Sequence, residues 1–87
     1  MHYVYILKSK KNGSIYIGYA VNVLERLKKH NAGMNKYTKK FTPWVLIYFE
    51  GYFSKEDAIK REHNLKYRGN AIAQLKKRAE NSFNDAQ

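Results

Sequence analysis

Glu62 is the residue whose position demands most of its surroundings. It falls four residues after Ala58, three after Ile59 and three before Leu65, so helical geometry puts its carboxylate in an apolar stripe rather than on the solvent face. Desolvating a carboxylate there is costly unless a cation, hydrogen bonds or a metal compensates. One solution is a structural ion pair with one of the many Lys or Arg residues. Another is a hard divalent ion, since Mg²⁺ keeps most of its waters and needs only one or two carboxylates. No second acid reads as comparably placed, which argues against a two-metal centre. His2, His30 and His63 are scattered without zinc-ligand spacing.

Arg26 and His30 stand one helical turn apart, both bordering the Val23 and Leu27 stripe, where two cations could meet one phosphate. A solvated basic helix, with Glu25 pairing Lys28 or Lys29, is the plainer explanation. Two β-rich runs, Tyr3 to Leu7 and Ser14 to Ala20, carry phenols at alternating positions and are separated by Lys10, Lys11, Asn12 and Gly13. Asn-Gly between such runs signals a hairpin. Alternation puts Tyr3, Tyr5, Tyr16 and Gly18 on one face and Val4, Ile6, Ile15 and Ile17 on the other. A strict two-residue turn pairs Lys11 with Ser14 and holds Tyr5 and Tyr16 apart along the strands. A longer loop or a bulge is needed to bring them together. Either ring also fits a plain role, half-buried with its hydroxyl satisfied.

The elements that must position these groups are few. Asn22 can cap a helix of about two turns that Asn31-Ala32-Gly33 ends, with Val23, Leu24 and Leu27 as its apolar stripe. Met34 to Thr42 reads as a basic loop, and Trp44 to Phe49, apolar at nearly every position, reads as a strand buried on both faces and central in its sheet. Ser54 with Asp57 resembles a capping pair for a second helix from about Lys55 to Lys66. Tyr67-Arg68-Gly69-Asn70 breaks it, and Ile72, Leu75 and Ala79 mark a third. The expected fold is α+β, a small antiparallel three-stranded sheet flanked by helices in the order ββαβαα. One domain spans residues 1–80, and 81–87 reads as a polar, frayed tail.

With 87 residues and no cysteine, the chain has room for one modest core and no disulfide or thiolate zinc site to reinforce it. No apolar run approaches a membrane span and no signal-peptide pattern opens the sequence, so a soluble cytoplasmic protein is expected. Seventeen Lys plus Arg against 7 Asp plus Glu leave a formal charge of +10, which favours a polyanionic partner. Aromatic residues interleave with these cations, so that bases can stack on rings while cations meet phosphates, the plainer alternative being that most of the rings are core. Lys36, Tyr37, Lys39 and Lys40 of the basic loop, with Lys66 and Arg68 after the second helix, are the candidate contacts.

Tyr3-Val4-Tyr5, Tyr16-Ile17-Gly18, Asn22-Val23-Leu24-Glu25-Arg26 and Glu62, in that order and spacing, resemble the GIY-YIG nuclease domain over roughly residues 2 to 68. The likeness is strongest to small stand-alone bacterial members. It implies a divalent-metal-dependent endonuclease acting on DNA in preference to RNA, with Glu62 holding Mg²⁺ or Mn²⁺ and Arg26 steadying charge at the scissile phosphate. Tyr5 and Tyr16 match the two motif tyrosines, one of which orients or deprotonates the attacking water, and Tyr5 is the favoured base. His30 matches a histidine that assists around the phosphate or leaving group. Where some members carry lysine after Tyr-Ile-Gly this chain has Tyr19, and the place of a downstream asparagine falls near Gln74. The rival from another class is a non-catalytic DNA- or RNA-binding module with the same fold, and a third is a partner-binding domain whose charge serves solubility.

Overall fold

Four consecutive residues, Val4, Tyr5, Ile6 and Leu7, have no measurable solvent exposure, which a strand achieves only when both its faces and both its edges are covered. In the computed structural model, which describes residues 1–84, they lie in β1 (His2–Ser9), the central strand of an antiparallel sheet ordered β2-β1-β3. Its neighbours are β2 (Ile15–Ala20) and β3 (Trp44–Tyr52). The helices are α1 (Val23–Asn31), α2 (Lys55–Tyr67), α3 (Gly69–Arg78) and α4 (Glu80–Asn84), with a 3-10 turn over Thr38–Phe41. The protein is α+β, and the order ββαβαα holds through α3.

Alternation along β1 divides the core into two layers. Val4 and Ile6 join Ile17, Ala58, Leu65, Leu75 and Phe83 on the side covered by α2, α3 and α4. Tyr5 and Leu7 join Ala20 and Trp44 on the side covered by α1 and the 3-10 turn, where Tyr16, Val23, Leu27, Phe41 and Leu46 pack around them. One layer is aliphatic and the other holds the phenols, as the period of the strands requires.

Several local expectations need correction. The strand at 44–49 is not central: β3 is an edge strand and runs on to Tyr52. Its apolar run comes from a bulge, where pairing shifts between Ile6 and Leu7 from Tyr48 to Leu46. The extra residue lets Trp44 and Leu46 face one layer while Ile47 and Tyr48 face the other. The β1–β2 turn is not the two-residue form. Ser9 N–H donates to the Ser14 carbonyl at 2.8 Å, closing a loop over residues 10–13 with Gly13 at φ 78°. Tyr5 therefore pairs with Gly18 rather than with Ala20. The offset is even, so every side chain keeps its face.

Asn22 caps α1 through its side chain, accepting from Glu25 N–H at 3.0 Å, but Leu24 is 64% exposed and lies outside the buried stripe. Ile59 is likewise 44% exposed, so Ala58 and Leu65 are the buried apolar residues of α2. The break after α2 is confined to Arg68, and Gly69 and Asn70 already belong to α3. Residues 81–84 are not a frayed tail: they lie in α4, Phe83 is buried in the aliphatic layer, and Lys8 Nζ donates to its carbonyl. The remainder of the expected tail, 85–87, lies outside the described residues. No helix among the described residues is long and apolar enough to cross a membrane.

Candidate active site

The tyrosine of the central strand reaches the sheet edge because its neighbour has no side chain. A Cβ built on Gly18 would stand 2.5 Å from both Cζ and Oη of Tyr5. The Tyr5 ring therefore lies directly over the β2 backbone. Tyr16, two residues earlier on β2, brings its ring centroid to 6.3 Å from that of Tyr5. The longer hairpin loop accounts for this meeting, since the register pairs Tyr16 with Leu7.

Helix α1 supplies the next two groups. His30 is buried, with its ring centroid 4.7 Å from that of Tyr16 and its Nε2 3.0 Å from the Tyr5 hydroxyl oxygen. Its Nδ1 is 2.8 Å from the Thr38 hydroxyl, so the imidazole is held at both nitrogens. Burial, reinforced by the Arg26 charge, pushes the His30 pKa down and disfavours the charged ring. Arg26, one turn earlier, is exposed and close enough to Tyr5 for its guanidinium to favour the phenolate.

The Tyr5 pKa nonetheless rises to about 12, because burial and then the neighbouring Tyr16 outweigh Arg26, and Glu62 adds to the rise. Tyr5 is a protonated phenol at neutral pH in this arrangement. Arg26 of α1 lowers that pKa through its charge and a hydrogen bond, and Glu62 of α2, the weakest of these influences, raises it, so the fields of both side chains reach the same hydroxyl. Glu62 is half-buried at the border of the α2 stripe and pairs with Lys66 Nζ at 3.3 Å. That ammonium lies 6.0 Å from the Tyr16 ring centroid, which carries the pair to the phenolic end of the sheet. The structure thus gathers Tyr5, Tyr16, Arg26, His30 and Glu62, and adds Lys66 to them.

The basic loop borders this cluster through Tyr37, which is 58% exposed, with its ring 6.4 Å from Tyr16 and 5.9 Å from Phe41. Lys36, Lys39 and Lys40 are exposed on the same loop. Arg68 sits apart, lining a cleft at the α2–α3 junction with Arg61, Asn64 and Asn70.

A second acid is placed as deeply as Glu62, contrary to expectation. The Glu50 side chain is 14% exposed against 21% for Glu62. Arg61 meets it with two bonds, at 2.9 and 3.0 Å, and the hydroxyls of Tyr48 and Tyr52 each donate at 2.6 Å. Burial alone would raise the Glu50 carboxyl, but these donors outweigh it and hold the pKa below the ordinary value. Glu50 lies on β3 in a closed network of its own. Among the described residues no group of three or more His, Cys, Asp or Glu gathers to hold a metal.

Three residues with a part in this arrangement escaped the sequence reading. Thr38 is fully buried, and its carbonyl also accepts from Trp44 Nε1 at 2.8 Å. Asn31 bridges α1 to β3, its Oδ1 accepting from Trp44 N–H at 2.6 Å and its Nδ2 donating to the Trp44 carbonyl at 3.0 Å. Nothing about either residue in a polar stretch marks it. Gly18 was placed on the phenolic face, but its purpose, passage for the Tyr5 ring, needed the register.

Comparison with known proteins agrees with this fold. The model of the GIY-YIG catalytic domain matches residues 1–80. A UPF0213 protein of Staphylococcus haemolyticus is 52% identical over 66 residues, covering 75% of this chain and 79% of that protein. One from Staphylococcus saprophyticus is 47% identical over the same shares. The solution NMR structure of a UPF0213 protein from Bacillus halodurans is 41% identical, covers 85% of this chain and 80% of its own, and superposes with a TM-score of 0.53. Together, the match across residues 1–80 and the identity to relatives aligned over about four fifths of their length show that the chain belongs to the GIY-YIG catalytic domain family, in its UPF0213 group.

Proposed function

We propose that the protein is a divalent-metal-dependent endonuclease that hydrolyses phosphodiester bonds in DNA, in a cytoplasmic role in repair or in processing of structured DNA. The observation that carries this reading is the cluster of Tyr5, Tyr16 and His30 beside a basic loop, with the Glu62–Lys66 pair brought toward Tyr16 and the Arg26 charge felt at Tyr5. Phosphodiester hydrolysis needs a positioned water, neutralisation of a charge-rich transition state and stabilisation of the departing oxygen. Arg26 is the exposed cation beside Tyr5 and meets the phosphate. Tyr5 orients the attacking water, and it can take a proton from that water only after its own phenolic proton has passed to solvent, a loss that the cations around the phosphate favour. Tyr16 and His30 flank the Tyr5 ring and hold it in place. Lys36, Tyr37, Lys39, Lys40 and Lys66 track the strand beside the cut, with Arg68 as a more distant contact. The preference for DNA over RNA rests on the family alone.

Mg²⁺ or Mn²⁺ fits Glu62 in one specific way. The carboxylate is half-buried, and its one ion-pair partner among the described residues, Lys66, is a flexible side chain 34% exposed, so a cation can replace it. That donor set suits an ion that keeps most of its waters and takes further ligands from the phosphate, and does not suit an all-protein cage. When bound, the ion would neutralise phosphate charge and stabilise the leaving oxygen. The same Lys66–Glu62 pair also favours a second reading, a nucleic-acid-binding module whose carboxylate is only a structural partner.

The deciding experiment incubates labelled branched, duplex and single-stranded DNA and RNA with the protein and Mg²⁺ or Mn²⁺. Wild type is expected to give products that Glu62→Ala and Arg26→Ala do not, while Glu62→Ala binds DNA as well or better. Products shared by both variants would mark a contaminating nuclease. Binding without any products would favour the binding module, and binding that is insensitive to salt would remove both nucleic-acid readings.

A further inference from the structure

We propose that the β1–β2 hairpin loop is part of the nucleic-acid surface: Lys11 meets a backbone phosphate beside Lys40, and the buried hydroxyl of Ser9 is the positioning group that sets the loop for that contact. The contact rests on the nucleic-acid half of the reading above, extends its surface beyond the basic loop, and does not need the cleavage half.

The hairpin loop is fixed to the 3-10 turn from beneath. Ser9 ends β1 and is 1% exposed. Its Oγ donates to the Phe41 carbonyl at 2.6 Å and accepts from Lys11 N–H at 3.0 Å and Asn12 N–H at 3.2 Å. A hydroxyl has one proton and two acceptor positions, so this one is fully used. Lys10 N–H adds a bond to the Pro43 carbonyl at 2.9 Å, just before β3. Loop and turn are therefore one surface rather than two neighbouring ones.

That surface brings like charges together. Lys11 Nζ donates to the Lys40 carbonyl at 3.2 Å, one of the last carbonyls of the turn, which the end of a helix leaves without an internal partner. An ammonium has three N–H donors, so Lys11 keeps two for a ligand. Lys10, Lys39 and Lys40 are exposed on the same loop and turn. Among the described residues none of these four lysines has an ion-pair partner. Glu25, the only acid in residues 1–49, pairs with Lys29. Gly13, at the end of the hairpin loop, borders a cleft in which Glu80 is outnumbered by Lys8, Lys76 and Lys77. Gathering cations without acids costs free energy that a bound anion offsets.

The spacing identifies that anion as a strand rather than a single phosphate. Lys11 stands six residues beyond Tyr5, which at about 3.3 Å per residue, with the loop turning back, is roughly 15 Å. One strand of a duplex presents a phosphate about every 3.4 Å along the axis, so roughly four or five base pairs separate a phosphate at Lys11 from one at Tyr5. The 3-10 turn lies between them, its Lys39 and Lys40 exposed and the adjoining Tyr37 ring 6.4 Å from that of Tyr16. A backbone running from the phenols to the hairpin stays on cationic surface, whereas a free phosphate would use only one end of it.

The test is fluorescence anisotropy of a labelled DNA duplex with the intact chain across a salt series, without divalent metal so that no strand is cut. Lys11→Ala is expected to lower the slope of log K against log salt by roughly 1, the share of one phosphate, and Lys11→Arg should keep it. Ser9→Ala should lose a similar amount, and adding Lys11→Ala to it should change little, whereas a merely structural serine would leave the two losses independent. A Lys11→Ala line parallel to wild type overturns the phosphate contact, and a full second loss in the double variant overturns the role of Ser9. If Ser9→Ala does not fold, amide hydrogen exchange of wild type decides. Lys11 and Asn12 lie in an exposed loop, so their amides should exchange slowly only if Ser9 Oγ holds them, and fast exchange at both overturns that role. Wild type whose binding depends on Lys11 but which cuts nothing in Mg²⁺ or Mn²⁺ refutes the nuclease function and leaves the hairpin contact standing. Cleavage that Glu62→Ala abolishes, beside a parallel Lys11→Ala line, refutes the hairpin contact and leaves the nuclease.

Discussion

Replacing Gly18 with alanine sets two effects of opposite sign against each other, and the structure says which one wins. Gly18 lies in β2 and is not among the positive-φ glycines, so its backbone admits alanine. At such a site the smaller entropy of the unfolded chain alone would stabilise the variant by about 0.4–1 kcal/mol. Here the new methyl would stand 2.5 Å from the Tyr5 ring, and carbon contacts become comfortable only at roughly 3.5 Å, so the ring must retreat by about 1 Å. It has little room, because Tyr16 and His30 flank it with centroids at 6.3 and 6.1 Å. Overpacking of this kind costs about 1–3 kcal/mol, so the net change is a destabilisation of about 1–2 kcal/mol. For a domain of this size that lowers Tm by roughly 5–15 °C. Moving the phenol by 1 Å should also cost about a hundredfold in cleavage. Circular dichroism melts of wild type and Gly18→Ala, repeated in a Tyr5→Leu background, give the coupling directly. With the ring gone, the same substitution should become neutral or stabilising. If Gly18→Ala shifts Tm equally in both backgrounds, to within the roughly 0.3–0.5 kcal/mol of simple additivity, the ring does not lie over Gly18 and the placement of the Tyr5 hydroxyl is wrong.

Glu50 has a folded-state pKa below its unfolded value, so its contribution to stability is complete above the unfolded carboxylate pKa of about 4.3 and is lost as pH falls through the lower folded value. Glu50→Gln should flatten that acid limb and cost about 2–3 kcal/mol at neutral pH, since it leaves Arg61 unpaired; urea melts from pH 3 to 7 would show it, and an unchanged limb would mean other carboxylates set the acid transition. Phe83→Ala should destabilise the fold by about 3 kcal/mol, whereas a solvated tail would make the change silent in a thermal melt. Converting Lys36, Lys39 and Lys40 together to alanine should reduce the slope of log K against log salt by roughly 2–3, measured by fluorescence anisotropy on labelled DNA; a parallel line would place the strand away from this loop.

The alternation of apolar and phenolic residues in the first two strands was legible without coordinates, because the side-chain period of a strand is fixed by covalent geometry. So was the cap at Asn22, where a short side chain precedes an apolar periodicity, and the order of elements through α3. Faces survived even where the turn was misread, since a shift of two residues returns every side chain to its own side. Register, edge position and the bulge in β3 were not legible: each depends on which strand pairs with which, and the apolar run at 44–49 reads the same for a central strand and for a bulged edge strand covered on both faces. Glu62 announced itself by breaking a local pattern, whereas Glu50 sits in a strand and its partner Arg61 comes from a helix eleven residues later. Most of the candidate site was visible as residue types in order. What the tertiary structure alone decided is that the Tyr5 ring crosses Gly18, that Thr38 closes on His30, and that Lys66 holds Glu62, because each is a contact between side chains that only packing brings within a few ångströms.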